Sequence, residues 1–213
     1  MRTKNEKAIE QKLKILILAN LFFFFLFMLV KDEEIKSTFL NIYFLLLLFS
    51  VSLLYFKNSC KKLGLSKQNL SKGIFFGFIA FFSIFLFTIF VELVVDFFGI
   101  NASTGVEEVL SGNLILILSA IFISPICEEI FFRATLLDFL EKNIKNENIS
   151  IILSSFVFSI FHLGYGSVLE ILGAFVAGVV FAFTYKKSKT IIAPIFGHFL
   201  YNFLSIILLI LNF

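Results

Sequence analysis

The sequence predicts an all-α protein, a polytopic bundle of about seven to eight transmembrane helices. Of its 213 residues, 59% are hydrophobic and 15% are charged, and the mean hydropathy is +1.00. Apolar stretches of about 18 or more residues with few charges are typical of membrane spans. The chain contains several such stretches in succession. Because backbone inside a bilayer must satisfy its own hydrogen bonds, continuous apolar runs favour helices over strands.

Hydropathy divides the chain into seven apolar segments, which we predict to be helices. No small-residue cleavage site follows the first of them, so we predict a retained signal anchor and not a cleaved signal peptide. The segments are residues 15–30, 38–56, 73–95, 114–140, 149–163, 168–185 and 191–213.

Basic residues alternate between the loops. They cluster before the first segment and after the second, fourth and sixth, whereas residues 96–113 and 164–167 contain no Lys or Arg. The positive-inside rule therefore places the N-terminus in the cytoplasm and the C-terminus outside. We expect a multipass protein of the cell membrane, with the lipid bilayer as a partner and no nucleic acid.

The fourth segment carries three ionisable side chains inside its apolar run. Glu129 and Arg133 are four residues apart, with the acid first, which is the better orientation for an ion pair along a helix. Glu128 projects about 100° away around the helix, so Arg133 does not serve both carboxylates equally. Ionisable residues inside a membrane are costly and mark functional sites. We therefore predict that Glu128 is available for chemistry.

Both histidines of the chain also lie inside predicted spans. His162 follows Phe158 by four residues, and His198 precedes Asn202 by four, so each pair shares a helix face. A single buried histidine is usually a satisfied core side chain. Here polar side chains of three separate spans would all face the bundle interior, which predicts one shared site.

Proline and small residues mark further features of the predicted spans. Pro125 removes a helical hydrogen bond, and we expect the freed backbone groups to be satisfied in a water-filled cavity. Three pairs of small residues have the spacing that lets helices pack closely in lipid. They involve Gly73 with Gly77, Gly173 with Ala177, and Ala174 with Gly178.

Other polar residues have simpler interpretations. Cys127 could be a thiol nucleophile, but it points to a different side of the helix from Glu128, and we favour the carboxylate. Glu92, Asp96 and Glu170 lie close to the outer interface, where side chains that reach water are the expected case.

Three elements in this order resemble the CPBP family of intramembrane proteases. They are Glu128-Glu129 with Arg133, Phe158 with His162, and His198 with Asn202. This family includes type II CAAX prenyl endopeptidases and bacteriocin-processing or immunity-associated proteins, and it is also called the abortive-infection family. The resemblance covers about residues 113 to 206. It implies a catalytic core in residues 113–213, preceded by helices and loops in residues 1–112, and an additional short helix in residues 96–113.

The resemblance implies that the chain hydrolyses a peptide bond within the membrane. Glu128 and His162 would activate a water molecule, and His198 and Asn202 would bind the oxyanion. Glu129, Arg133 and Phe158 would support them. The implied substrate is a membrane-associated peptide, or the C-terminal tail of a membrane protein that can carry a lipid.

Two alternatives stay open at this point. The first is a zinc site made by Glu128, His162 and His198. We favour a site without a metal or other cofactor, because Asn202 is a poor zinc ligand and a good oxyanion donor. The second is a protein that keeps the site but acts as a non-catalytic immunity or regulatory protein. A transporter is disfavoured because no internal repeat is visible.

Overall fold

A computed structural model gives the structure of the chain in two long ranges and several shorter pieces. The described residues are 63–99 and 113–211, together with 11, 18, 45 and 47–52. All regular structure within these ranges is helical, which confirms the predicted all-α class. The first predicted span, most of the second, and residues 100–112 of the expected additional helix lie outside the described residues. The total of seven to eight helices therefore stays a prediction.

Five helices of the described ranges are long and apolar enough to cross a membrane. They correspond to the last five predicted segments. We number them α1, Lys67–Phe97; α2, Leu114–Ile144; α3, Glu147–Ile160, which a short 3₁₀ turn at Leu163–Tyr165 extends; α4, Val168–Ser188; and α5, Ile192–Ile210.

Short polar side chains set the start of four of these helices. Each accepts a hydrogen bond from a backbone N–H of the first turn, which would otherwise lack a partner. These N-cap residues are Ser66 before α1, Asn113 before α2, Asn146 before α3 and Ser167 before α4. The helix boundaries are therefore decided locally by the sequence.

Helices α1 and α5 pack closely through glycine. A Cβ atom on Gly77 would lie 2.7 Å from the Phe196 ring, and one on Gly197 would lie 2.7 Å from the Cβ of Ala80. Close backbone approach through small residues is the usual way that helices associate in lipid. The predicted packing role of Gly73 and Gly77 is confirmed, and Gly197 adds a contact that the spacing did not indicate.

The α3–α4 contact confirms the small-residue prediction only in part. A Cβ atom on Gly178 would lie 2.9 Å from the side chain of Ser155, so this glycine permits a close approach. A Cβ atom on Gly173 meets nothing within 4 Å, and the packing role predicted for Gly173 is therefore wrong. Spacing alone does not show which face of α4 meets a neighbour.

Helix α2 contains two stretches of wider, π-helical turns, Ser119–Ile123 and Ile130–Leu137. Such turns are rare and often accompany functional sites. The stretch between them carries Glu128 and Glu129. Apolar side chains from residues 47–52 pack against the second π-helical stretch, where Leu48 and Val51 join a cluster with Phe131, Phe132 and Leu136.

The regular α-helical part of α3 is shorter than the apolar part of a bilayer, and the turn at Leu163–Tyr165 extends the span to 19 residues. The 14 α-helical residues rise about 21 Å, whereas the hydrocarbon core is about 30 Å thick. His162 lies just beyond its last residue, Ile160, at the start of the 3₁₀ turn. His162 thus lies near the end of the Glu147–Tyr165 span, and His198 lies within α5, so both histidines are inside spans as predicted. Irregular backbone at membrane depth is tolerated where it lines a cavity.

Candidate active site

The first half of the candidate site consists of three buried, charged or ionisable side chains that are joined by hydrogen bonds. Arg133 Nε donates to Glu129 Oε2 over 2.8 Å, and both side chains are 0% exposed. The other carboxylate oxygen, Glu129 Oε1, lies 3.0 Å from His198 Nδ1, and His198 is 6% exposed. We call Glu129, Arg133 and His198 the buried half of the site. The predicted ion pair is present, and it also binds the histidine of α5.

Aromatic rings surround the guanidinium of Arg133. Its central carbon lies 4.9 Å from the centre of the Phe158 ring and 5.9 Å from those of Phe132 and Phe181. Within the described part of the chain, its two terminal nitrogens have no hydrogen-bond partner. Contacts with ring faces replace those hydrogen bonds in part, because the ring quadrupole attracts a cation.

Packing also fixes the His198 ring. It stacks on Phe181 of α4, with the ring centres 4.9 Å apart and the planes 22° apart. Because Glu129 and His198 are 69 residues apart, no local spacing indicates their contact. Sequence reasoning therefore missed that Glu129 has a second partner. The hydrogen bond presents one ring nitrogen to Glu129 and leaves Nε2 for another partner.

The second half of the site is more accessible. Glu128, His162 and Tyr165 are all half-buried, and we call them the open half. Glu128 interacts with the Ser124 side chain one turn earlier and is close enough to His198 and Tyr165 to interact electrostatically. The neighbouring Cys127 is buried. Glu128 and Glu129 thus lie side by side in the sequence but differ in accessibility and partners.

The orientation of His162 follows from its hydrogen bond to the backbone. Its Nδ1 lies 3.0 Å from the carbonyl oxygen of Phe158. A carbonyl only accepts hydrogen bonds, so Nδ1 carries the proton, and Nε2 of the neutral ring is left as an acceptor. The Phe158 ring lies against both imidazoles, 4.7 Å from the centre of His162 and 6.1 Å from that of His198. Phe158 therefore connects the two halves.

Asn202 contacts a backbone carbonyl that α2 leaves free. In the π-helical stretch, the N–H of Ser124 donates to the carbonyl of Ser119, five residues earlier. In the same register the carbonyl of Ala120 would need the N–H of residue 125, but Pro125 has none. Asn202 Nδ2 donates to the Ala120 oxygen instead, over 2.9 Å. The freed group predicted at Pro125 is therefore satisfied by Asn202, and the expected water is not needed there.

Two further residues lie beside the site, and sequence reasoning did not assign them to it. Tyr165 has its ring centre 5.9 Å from that of His162 and interacts electrostatically with Glu128 and Glu170. Glu170 is half-buried in the first turn of α4. The signal available in the sequence was their closeness to His162, three and eight residues along the chain.

Comparison with known proteins identifies the segment that carries this site. Residues 110–204 match the family model described as type II CAAX prenyl endopeptidase Rce1-like. The predicted family resemblance is confirmed for this segment. The Rce1-like segment begins just before α2 and ends within α5, so it contains both halves of the site.

A protein of Mycoplasma capricolum subsp. capricolum, described as uncharacterized, shares 33% identity with the chain over 98 residues. The aligned stretch is 46% of this chain and 28% of that protein. The chain therefore matches less than a third of the relative's length. No solved structure matches the chain.

The described donor groups of the Rce1-like segment are not clustered as in a metal site. Among the described residues, no group of three or more His, Cys, Asp or Glu side chains is placed to hold a metal ion. The candidate ligands Glu128, His162 and His198 all belong to the described residues and do not form such a group. In this geometry Nδ1 of each histidine faces another protein group.

Proposed function

We propose that this chain is an intramembrane endopeptidase that hydrolyses a peptide bond with a water molecule activated by Glu128 and His162. The observation that carries the proposal is the convergence of α2, α3 and α5 on Phe158, which lies against both imidazoles and the buried arginine. The Rce1-like match supports it, because the matching family is described as an endopeptidase family.

The open half is suited to water activation. Both Glu128 and His162 are partly accessible, so water can reach them. The hydrogen bond from Nδ1 to the Phe158 carbonyl leaves His162 Nε2 as an acceptor for a proton of the attacking water. Glu128 would take the proton that leaves the water as the new C–O bond forms, while the water's other O–H donates to His162. Glu128 would then give that proton to the leaving amine as the C–N bond breaks.

The proposed oxyanion site consists of His198 and Asn202. Asn202 has two N–H groups and gives one to Ala120, so the second is available to a negatively charged oxygen. His198 would have to donate from Nε2 while Nδ1 faces Glu129, which requires a proton on both nitrogens. Glu129 is the counter-charge for that imidazolium, and Arg133 holds Glu129 in place.

The proposed substrate is a peptide, or the C-terminal tail of a protein, that is itself associated with the membrane. The description of the matching family favours a tail that can carry a lipid. Processing of a small membrane-active peptide, including a bacteriocin, would use the same chemistry. We further propose that hydrolysis needs no metal, because Asn202 and His198 would supply the oxyanion stabilisation that a zinc ion would otherwise provide.

The test is cleavage of lipid-anchored peptides by the purified protein in liposomes, with and without a strong chelator. We expect cleavage that persists in the chelator and is lost in Glu128→Gln. Loss of cleavage with the chelator and its recovery with Zn²⁺ would contradict the metal-free mechanism. Full biological function in a stable Glu128→Gln protein would contradict hydrolysis and favour a non-catalytic immunity or regulatory role.

The proposed orientation places the N-terminus in the cytoplasm and the C-terminus outside, because basic residues alternate between the loops. A reporter fused after Lys189 should then respond as cytoplasmic. Reporters fused at Gly105 and after Phe213 should both respond as external. A cytoplasmic signal from only one of those two external fusions would show that the number of spans is wrong.

A further inference from the structure

The loop between α3 and α4 brings a second acidic side chain to the open half of the site. Ser167 begins α4 and accepts a hydrogen bond from the N–H of Glu170, which fixes Glu170 in the first helical turn. Tyr165 lies close enough to interact electrostatically with both Glu170 and Glu128. The ring of Tyr165 is also 5.9 Å from that of His162. Glu170 is thus linked to the proposed reacting groups through Tyr165.

The carboxylate of Glu170 has no hydrogen bond or ion pair with any described residue. The acids Glu129 and Glu141, also in the described helices, do have such partners. Glu129 pairs with Arg133 and Glu141 pairs with Lys186, in both cases within 2.8 Å. Because α4 begins beside Glu170, its dipole stabilises a carboxylate there in part. A half-buried carboxylate with no cation beside it is nevertheless costly in an apolar setting, and a bound cation would remove much of that cost.

The charges around Tyr165 favour a positive ligand. Residues 161–167, which form the loop, contain no Lys, Arg, Asp or Glu, and the charged side chains that act on Tyr165 are the two acids Glu170 and Glu128. Clefts lined by one sign of charge attract ligands of the opposite sign and repel like charges. The face of a tyrosine ring also attracts cations. An acidic substrate residue would be repelled at the same place.

We infer that Glu170 is a specificity-determining residue that binds a cationic side chain of the peptide substrate, close to the bond held by the open half. The inference rests on the proposed function, because it assumes a peptide in this site. Tyr165 would lie between the bound cation and the reacting groups, so the position of the positive residue would set which peptide bond reaches His162. The ligand class is a lysine or arginine side chain of a membrane-associated peptide.

The experiment measures binding, so that it does not depend on cleavage. The probes are short acylated peptides of Ala and Leu, in which one position carries Lys, norleucine or Glu and is moved along the peptide. Each is titrated against the full-length Glu128→Gln protein in liposomes. At one position, we expect the Lys peptide to bind about fivefold to tenfold more tightly than the norleucine peptide, and the Glu peptide to bind most weakly.

Variants at Glu170 then test whether this residue causes the preference for the Lys peptide. In the same Glu128→Gln background, Glu170→Gln should remove the preference for Lys, and Glu170→Lys should reverse it in favour of Glu. The matched control is Asp96→Asn, which removes an exposed carboxylate of α1 and should leave the preference unchanged. Reversal of preference is a result that a merely misfolded variant would not produce.

The outcomes separate the two proposals. Equal binding of Lys and norleucine peptides at every position, or a Lys preference that survives Glu170→Gln, would overturn the role of Glu170. Absence of measurable binding of any peptide would overturn it as well. If the protein with Glu128 intact cleaves none of the peptides but binds them with a Glu170-dependent Lys preference, the proposed hydrolysis fails and the cation site stands.

Discussion

The buried and open halves of the site use the same residue types in different ways. In the buried half, Glu129 is 0% exposed and lies between Arg133 and His198. In the open half, Glu128 and His162 are half-buried, and His162 contacts the Phe158 carbonyl and lies beside the rings of Phe158 and Tyr165. One carboxylate and one imidazole are thus fixed as a pair, whereas the other carboxylate and the other imidazole are both partly accessible.

Adjacent acids therefore need not share a role. Glu129 neutralises the buried Arg133 guanidinium, so its removal should lower the stability of the folded protein. Glu128 interacts with the Ser124 side chain and is half-buried, so its removal should lower the rate of hydrolysis. Four predictions test this division, and they follow in order of expected size.

The largest effect is expected from Glu128→Gln, which keeps the shape of the side chain but removes the proton acceptor. Peptide cleavage should fall by about 10²–10⁴-fold, which is the usual contribution of a general base. The amount of monodisperse protein after size-exclusion chromatography should stay unchanged. Cys127→Ala, at the preceding residue, is the control and should keep its turnover. A folded Glu128→Gln protein with normal turnover would contradict the separate roles proposed for Glu128 and Glu129.

Glu129→Gln should act mainly on stability. It leaves the buried Arg133 guanidinium without its carboxylate, which typically costs about 3–5 kcal/mol. Thermal unfolding in detergent should begin at a clearly lower temperature, and less protein should accumulate. The double variant Glu129→Gln with Arg133→Met should recover stability, since no unpaired charge remains, but it should not recover turnover. A single variant as stable as the unmodified protein would contradict the role assigned to the buried half.

Asn202→Ala should lower turnover and stability for separate reasons. Loss of an oxyanion donor typically costs about 10²–10³-fold in turnover. The Ala120 carbonyl also loses its partner, which costs about 1–3 kcal/mol when the group is buried.

Pro125→Ala separates the two effects of Asn202→Ala. Pro125→Ala supplies the backbone N–H that the Ala120 carbonyl lacks. The double variant Asn202→Ala with Pro125→Ala should therefore regain stability, while its turnover stays low. Recovery of turnover as well would show that Asn202 acts only by tethering α2 to α5.

The smallest effect concerns the scaffold next to each histidine. Gly197→Ala would place a Cβ 2.7 Å from that of Ala80 and 2.8 Å from the Gly77 carbonyl oxygen, and overpacking of this kind typically costs about 1–3 kcal/mol. Gly164→Ala, two residues after His162, meets nothing within 4 Å and should be tolerated. Unfolding temperatures measured side by side would check this. Equal sensitivity at both glycines would mean that the open half is as tightly held as the buried half.

Short-range features of the molecule could be read from the sequence. The apolar runs predicted the five helices α1 to α5. The observed helix boundaries differ from the predicted ones by at most six residues, at the start of α1. The spacing of four residues predicted the Glu129–Arg133 ion pair and the contact of Phe158 with His162. These contacts depend on the geometry of one helix turn, which is the same wherever the helix lies.

Long-range features needed the tertiary structure. The second partner of Glu129, the tether from Asn202 to Ala120 and the place of Tyr165 beside two acids all join separate helices or loops. They depend on how each helix is rotated and shifted against its neighbours, and small residues such as Gly197 set that approach.

The helical, membrane-embedded class of the protein and the polar side chains within its apolar spans follow from the amino-acid sequence alone. A charge or an unpaired backbone group in lipid is unfavourable at each position separately, without reference to distant residues. Which of two consecutive acids is enclosed and which is accessible depends instead on the packing of the helices. That outcome depends on where Arg133, Phe158 and His198 meet, because partners from different helices decide how a buried carboxylate is satisfied.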